Sequence, residues 1–216
     1  MDIAIIGAGN VGTSLATAIA RGGHRVTIAS RDPEHAARAA EASGGEVGSS
    51  TAAAAGDADI IVLAVPFSSV PEVATEISDA SRGKTVIDVT NRMSYGADGP
   101  DIDTTFSNAE EIAQLLPDAH VVKAFNTVFA TNQADPITEG VRLDGYVAGD
   151  DPDAKAAVLD LVRSIGLEPV DVGPLARARQ LEGLAFLNIA IQLKHDGTWQ
   201  SGWKLVAAPK TVKAAA

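Results

Sequence analysis

The chain has 216 residues, with 17 Lys and Arg against 28 Asp and Glu, a net charge of −11. Its 46% hydrophobic share suffices for a core and excludes global disorder, and the absence of cysteine excludes disulfides, thiolate chemistry, iron–sulfur clusters and Cys-ligated zinc. The acidic balance argues against nucleic acid as a partner, no apolar run approaches the ~20 residues of a membrane span, and no signal peptide is read at the N-terminus, so a cytoplasmic protein is expected.

In chain order, Asp2–Ile6 predicts a strand, a glycine loop follows, and Thr13–Arg21 predicts a helix that Gly22 and Gly23 stop. Arg25–Ala29 is a second strand. Asp32-Pro33 reads as an N-cap with proline at the first helical position, opening a helix over Glu34–Ala42. Strands are predicted at Asp59–Val65, Thr85–Thr90 and His120–Phe125, with a helix over Ser69–Ala80 and two shorter strands at Gly145–Ala148 and Glu168–Val172. Ile60–Val65 is apolar on both faces, as in a parallel sheet covered on both sides. The expected fold class is therefore α/β, a doubly wound, mostly parallel sheet with a short C-terminal helical segment over Leu175–Leu193. Residues 1–173 read as the sheet domain, and 174–216 as a helix and tail that complete a second site or a dimer contact. The stretch Arg92–Asp103 has no periodicity and reads as a loop. Trp199 and Trp203 read as core packing, and Ala207–Ala216 as a loose tail.

Gly7-Ala8-Gly9-Asn10-Val11-Gly12 fits G-x-G-x-x-G between a strand and a helix, the setting in which that pattern binds a dinucleotide. Gly7 permits the tight turn, Gly9 the approach of backbone to a pyrophosphate, and Gly12 close packing of helix on strand. The helix N-terminus offers free N–H groups to the anion. A carboxylate at the end of the second strand would select NAD; Ser30-Arg31 stands there and favours NADP(H), because a guanidinium attracts a 2′-phosphate, while Asp32, the dissenting carboxylate next to them, is accounted for as the cap of the following helix. His35, one turn on, is either a third contact or a solvated helix residue.

No catalytic acid or base is evident. None of His24, His35, His120 and His195 makes an evident pair with a carboxylate, neither tyrosine has a spaced lysine, and metal-ligand spacings are absent. Direct hydride transfer between two flat redox cofactors fits such a site. Ala64, Val65 and Pro66 end the third strand, where small apolar groups cover a ribose and ring. Asn91 and Met93 follow the fourth strand. Past the fifth, Asn126 can bond a carboxamide or ring carbonyl, while Lys123, before Ala124, either approaches phosphate and ribose or pairs with an acid at the sheet edge.

Gly9-Asn10-Val11-Gly12, Ser30-Arg31, Ala64-Val65-Pro66, Ser107-Asn108-Ala109-Glu110, Lys123-Ala124-Phe125-Asn126-Thr127 and the segment Gly173–Arg179 together resemble the coenzyme F420-dependent NADP oxidoreductase family, and also the cytosolic reductase domain of the STEAP metalloreductases. The resemblance implies reversible hydride transfer between NADPH and the deazaflavin F420. It further implies phosphate contacts at Ser30, Arg31 and His35, pyrophosphate contacts at Ala8, Gly9, Asn10 and Val11, and a homodimer. A flavin- or metal-linked NADPH reductase and a non-catalytic NADP-binding regulator stand as alternatives. Six basic and two acidic residues follow Val172, a net of +4 that leaves −15 for residues 1–172. Arg177 and Arg179 are therefore candidates to meet the anionic tail of a second cofactor.

Overall fold

Strands whose side chains are apolar on both faces need cover on both faces, and the chain supplies it by alternating strands with Ala-rich helices. The computed structural model describes residues 1–96 and 99–207. In chain order the elements are β1 (Asp2–Ile6), α1 (Asn10–Arg21), β2 (Arg25–Ala29), α2 (Pro33–Ser43), β3 (Glu46–Val47), α3 (Thr51–Asp57), β4 (Ile60–Leu63), α4 (Val70–Ile77), β5 (Thr85–Asp88), β6 (Ser94–Gly96), β7 (Gly99–Asp101), α5 (Asn108–Leu115), β8 (His120–Lys123), α6 (Ala130–Gln133), β9 (Ile137–Thr138), β10 (Val141–Arg142), β11 (Asp144–Gly149), α7 (Pro152–Ser164), β12 (Glu168–Gly173) and α8 (Ala178–Lys194).

Eight strands form one sheet in the order β12-β11-β8-β5-β4-β1-β2-β3. From β3 to β8 every pairing is parallel; β11 runs antiparallel to β8, and β12 runs parallel to β11. This is the doubly wound, mostly parallel sheet expected. Period-two alternation splits its core in two. Ile3 and Ile5 of β1, with Ile60 and Val62 of β4, pack under α1 and α7 residues such as Leu15, Ile19, Val158 and Leu161. Ala4, Ile6, Ile61 and Leu63 face the opposite layer, Ala54, Val70, Val73, Ile77 and Ile112.

Local chemistry sets the helix boundaries. Asp32 caps α2, accepting from Glu34 N and His35 N, with Pro33 behind it. Ser107 and Glu110 form a reciprocal capping box at the start of α5.

Two expectations are corrected. Arg92–Asp103 is partly regular, because β6 and β7 pair antiparallel with Gly96 opposite Gly99. Three-residue arms held by main-chain bonds leave no apolar alternation for a sequence reading to detect. Leu181, Leu184, Ala185, Leu187, Ile189, Ile191 and Leu193 give the C-terminal helix a broad apolar face that reads as buried against the sheet domain or a second subunit, and the sheet domain does not take all of it. Instead α8 buries Leu181 and Ala185 together with Glu182, Asn188 and Gln192, and leaves Leu187 49% and Ile191 42% exposed. Its polar residues have partners inside: Ser201 Oγ donates to Asn188 Oδ1 at 2.6 Å, and Trp199 N donates to Gln192 Oε1 at 2.8 Å. Trp199, read from the sequence as core, is 38% exposed and packs edge-on against Phe129 at 5.3 Å, whereas Trp203 lies against the Tyr146, Ala148 and Leu181 cluster. The predicted tail beyond Ala207 lies outside the described residues.

Candidate functional site

The connections leave β1 and β4 toward opposite faces of the sheet, and the crevice between their carboxyl ends is where open α/β sheets bind ligands. The glycine loop forms its floor. Gly7 has φ +116°, and a Cβ there would stand 2.3 Å from Ala64 O, so only glycine fits. Gly12 does not line the crevice; its missing Cβ would meet Gly7 O at 2.0 Å, so its role is to seat α1 on β1. Gly9 differs from both, because a Cβ there meets nothing within 4 Å and would project into open space. Gly9 is also the N-cap of α1, and no side chain caps that helix, so its leading N–H groups remain available to an anion. The loop thus fits a pyrophosphate.

On one side of the loop lies a pocket of about 240 Å³, lined among others by Gly7, Ala8, Gly9, Ser30, Arg31, His35 and Ala64–Pro66. Arg31 enters this pocket with Glu72 Oε2 at 3.3 Å from its Nη1 and Ser69 Oγ at 3.4 Å from its Nη2. His35 Nδ1 lies 3.4 Å from Asp32 Oδ2. Arg31 and His35, the two basic side chains offered to a 2′-phosphate, therefore each already face a carboxylate. Thr51 and Ser69 also line the pocket, and Glu72 reaches Arg31 from α4; the start of α3 and the turn before α4 place them, and nothing in their local spacing signals it.

On the other side lies a pocket of about 450 Å³, lined by Gly9, Asn10, Val11, Ala64–Phe67, Val89, Thr90, Asn91 and Met93. No residue of this lining carries an ionisable side chain. A third hollow of about 290 Å³ adjoins it through Phe67, Asn91 and Met93 and reaches Arg92, Asp103 and Asn108. A further depression of about 300 Å³, lined by Asp2, His24 and Arg25 among others, sits at the opposite ends of the strands.

The structure does not bring Lys123, Ala124 or Asn126 into these linings. Lys123 is fully buried: Nζ donates to Asp88 Oδ2 at 2.7 Å, to Glu182 Oε1 at 2.8 Å and to Thr90 O, which corresponds to the pairing alternative rather than the ligand-facing one. Ala124 is core. Asn126 stands behind the crevice, where Nδ2 donates to Asn91 Oδ1 at 2.8 Å and to Leu181 O at 3.0 Å. Two histidines do face carboxylates, contrary to expectation: His35 faces Asp32, and His120 Nδ1 lies 3.5 Å from Asp151 Oδ2. The first pair joins an N-cap to the third residue of its helix, and the second joins residues distant in sequence. Among the described residues no group of three metal-ligating side chains occurs, and no helix is long and apolar enough to cross a membrane.

Arg179 is already engaged. Its Nε and Nη2 donate to Glu110 Oε2 and Oε1 at 2.8 and 2.6 Å, and these bonds hold the Glu110 carboxyl down to about 2 from 4.5. A depressed carboxylate stabilises the fold fully above its unfolded value, and that stability is lost as pH falls from about 4.5 toward 2. Arg179→Met should therefore be less stable than wild type near neutral pH. The gap from wild type should close near pH 2, as denaturant melts across that range would read.

Residues 2–92 match the family model described as NADP oxidoreductase, coenzyme F420-dependent. The chain is 32% identical over 211 residues to an F420-dependent NADP reductase of Methanothermobacter marburgensis, covering 90% of this chain and 94% of that one. It is also 32% identical over 187 residues to the rat metalloreductase STEAP3, where the match takes in 84% of this chain but only 36% of the relative. A crystal structure from Arthrobacter sp. FB24, assigned as an F420-dependent NADP-reductase, superposes with a TM-score of 0.85 at 29% identity, covering 95% of this chain and 99% of that one. With the glycine loop, the Ser30-Arg31 pocket and near full-length similarity in agreement, the chain belongs to the F420-dependent NADP oxidoreductase family.

Proposed function

We propose that this protein is an NADPH-dependent oxidoreductase that passes hydride between NADP(H) and the deazaflavin coenzyme F420. The observation that carries this reading is the uncharged pocket beyond the glycine loop, continuous through Gly9 and Ala64–Pro66 with the Arg31 pocket. Transfer between two held rings asks for proximity and exclusion of water, and needs no positioned acid or base on the protein. When bound, NADP(H) supplies the hydride and F420 accepts it.

The chain's own residues divide the work. Ala8, Gly9, Asn10 and Val11 hold the pyrophosphate. Ser30, Arg31 and His35 take the 2′-phosphate. Ala64, Val65 and Pro66 cover the nicotinamide ribose, and Asn91 and Met93 border the reacting rings. Helix α8 stands behind the acceptor side, where Leu181 O accepts from Asn126 and Glu182 from Arg92 N. The apolar residues that α8 leaves exposed, Leu187 and Ile191, support a homodimer, which light scattering would register as twice the chain mass.

Mixing the protein with NADPH and F420 should bleach the visible band of F420 while NADPH is consumed. Bleaching of FMN or FAD but not of F420 would overturn this in favour of a flavin-linked reductase. Tight NADPH binding without turnover of any acceptor would make the protein a regulator.

A further inference from the structure

The segment Thr90–Met93 carries Asn91 and Met93 to the edge of the uncharged pocket, yet it belongs to no helix or strand until β6 begins at Ser94. A segment without a ladder must find its hydrogen bonds elsewhere. Met93 N donates within the segment to Asn91 O at 3.0 Å, and the bonds of Thr90 and Arg92 come from buried charges. Asp88 Oδ1 accepts from Thr90 N at 2.8 Å, the Lys123 ammonium donates to Thr90 O, and Glu182 Oε2 accepts from Arg92 N at 3.0 Å. The other oxygen of Glu182 accepts from Asn108 N at 2.9 Å and from Lys123 Nζ at 2.8 Å. Next to it on α8, Leu181 O accepts from Asn126, whose same amide nitrogen donates to Asn91. Glu182 is 1% exposed, and Lys123 and Asp88 are 0% exposed.

One ammonium with two carboxylates is a costly group to bury, and swapping such a set for apolar residues is often neutral or stabilising. Stability alone therefore does not account for a carboxylate on the C-terminal helix that reaches across to the main chain of the crevice segment. We infer that Glu182 is a positioning residue: it spans α8, the start of α5 and the Arg92 backbone, and so sets where Asn91 and Met93 stand against the nicotinamide end of a bound dinucleotide. Glu182 does not line the crevice and touches no ligand; it acts through the backbone it holds. The inference rests on the proposed NADP(H) site, though not on the identity of the hydride acceptor.

The test compares equilibrium binding of NADPH with that of 2′-phospho-ADP-ribose, which shares the phosphates and adenosine but lacks the nicotinamide. In Glu182→Gln, NADPH affinity should fall about tenfold, the scale of one lost charge-assisted bond, while the fragment binds within about twofold of wild type. Glu182→Asp keeps the charge opposite Lys123 but is one methylene short of Arg92 N, about 1.5 Å. It should show the same split, and it serves as the measurable variant if the Gln form does not fold. Equal losses for both ligands, no loss for either, or full recovery in the Asp form would overturn the inference. A wild type that binds NADPH no better than the fragment would overturn it as well. A wild type that gains affinity from the nicotinamide yet fails to reduce F420 refutes the acceptor assignment and leaves this inference standing on the variant data.

Discussion

Arg31→Ala should raise the Kd for NADPH by about 10- to 100-fold and leave that for NADH within about twofold. A guanidinium paired with a phosphate forms short charge-assisted bonds worth about 1.5–3 kcal/mol, which is the origin of that range. NADH has a hydroxyl in place of the phosphate and loses little. The contacts Arg31 makes now do not compete strongly. Its bonds to Glu72 and Ser69 are long, at 3.3 and 3.4 Å, and the side chains of Arg31 and Glu72 are 68% and 61% exposed. Exposed pairs of this kind are worth about 0–1 kcal/mol. Removing Arg31 also leaves the Glu72 carboxylate facing the pocket with no cation beside it, which adds repulsion against a 2′-phosphate. Glu72→Gln should accordingly act in the opposite sense and tighten NADPH modestly. Calorimetric titration with both nucleotides decides the matter, and equal losses in Arg31→Ala would remove the NADP assignment.

The glycine loop offers the second large effect, because its three glycines serve three physical purposes. In Gly7→Ala the new methyl would stand 2.3 Å from Ala64 O at φ +116°. Backbone on both sides of that clash cannot yield cheaply, so a loss of about 2–4 kcal/mol in stability is expected, with NADPH binding abolished. Gly9→Ala should behave differently. Gly9 has φ −80°, which any residue adopts, and its Cβ would enter open space. The melting temperature without ligand should stay within a degree or two of wild type, yet NADPH should bind at least about tenfold more weakly, because the methyl takes the volume a pyrophosphate needs. Thermal melts with and without NADPH give both readings in one experiment. Wild-type affinity in Gly9→Ala would mean that no phosphate lies there.

Much of the crevice was legible because its determinants are local. The glycine spacing, the apolar run of β1 and the Ser30-Arg31 pair after β2 can each be read within a few residues, and the linings contain Gly7, Ala8, Gly9, Ser30, Arg31, His35, Ala64, Val65 and Pro66 on one side and Asn10, Val11, Asn91 and Met93 on the other. The caps at Asp32 and Ser107 were legible for the same reason, since a cap joins residues two or three apart. Lys123 was not. A lysine at a strand end gives no local sign of whether it faces solvent, ligand or acid, and its partners Asp88 and Glu182 lie 35 and 59 residues away. The hairpin of β6 and β7 and the exposed apolar edge of α8 escaped for related reasons: one depends on main-chain pairing, the other on which face of the helix finds buried partners.

The amino-acid sequence by itself therefore determined the doubly wound sheet, the glycine loop that opens α1 and the placing of Ser30-Arg31 beside it, all set by backbone freedom and periodicity over short spans. The tertiary structure alone decided which polar groups become partners. It enclosed Lys123 between two carboxylates, turned Asn126 toward Asn91, engaged Arg179 with Glu110 and set Glu182 against the main chain of the crevice. Burial makes an unpaired polar group costly, and which partner lies within reach is fixed by packing of elements far apart in the chain.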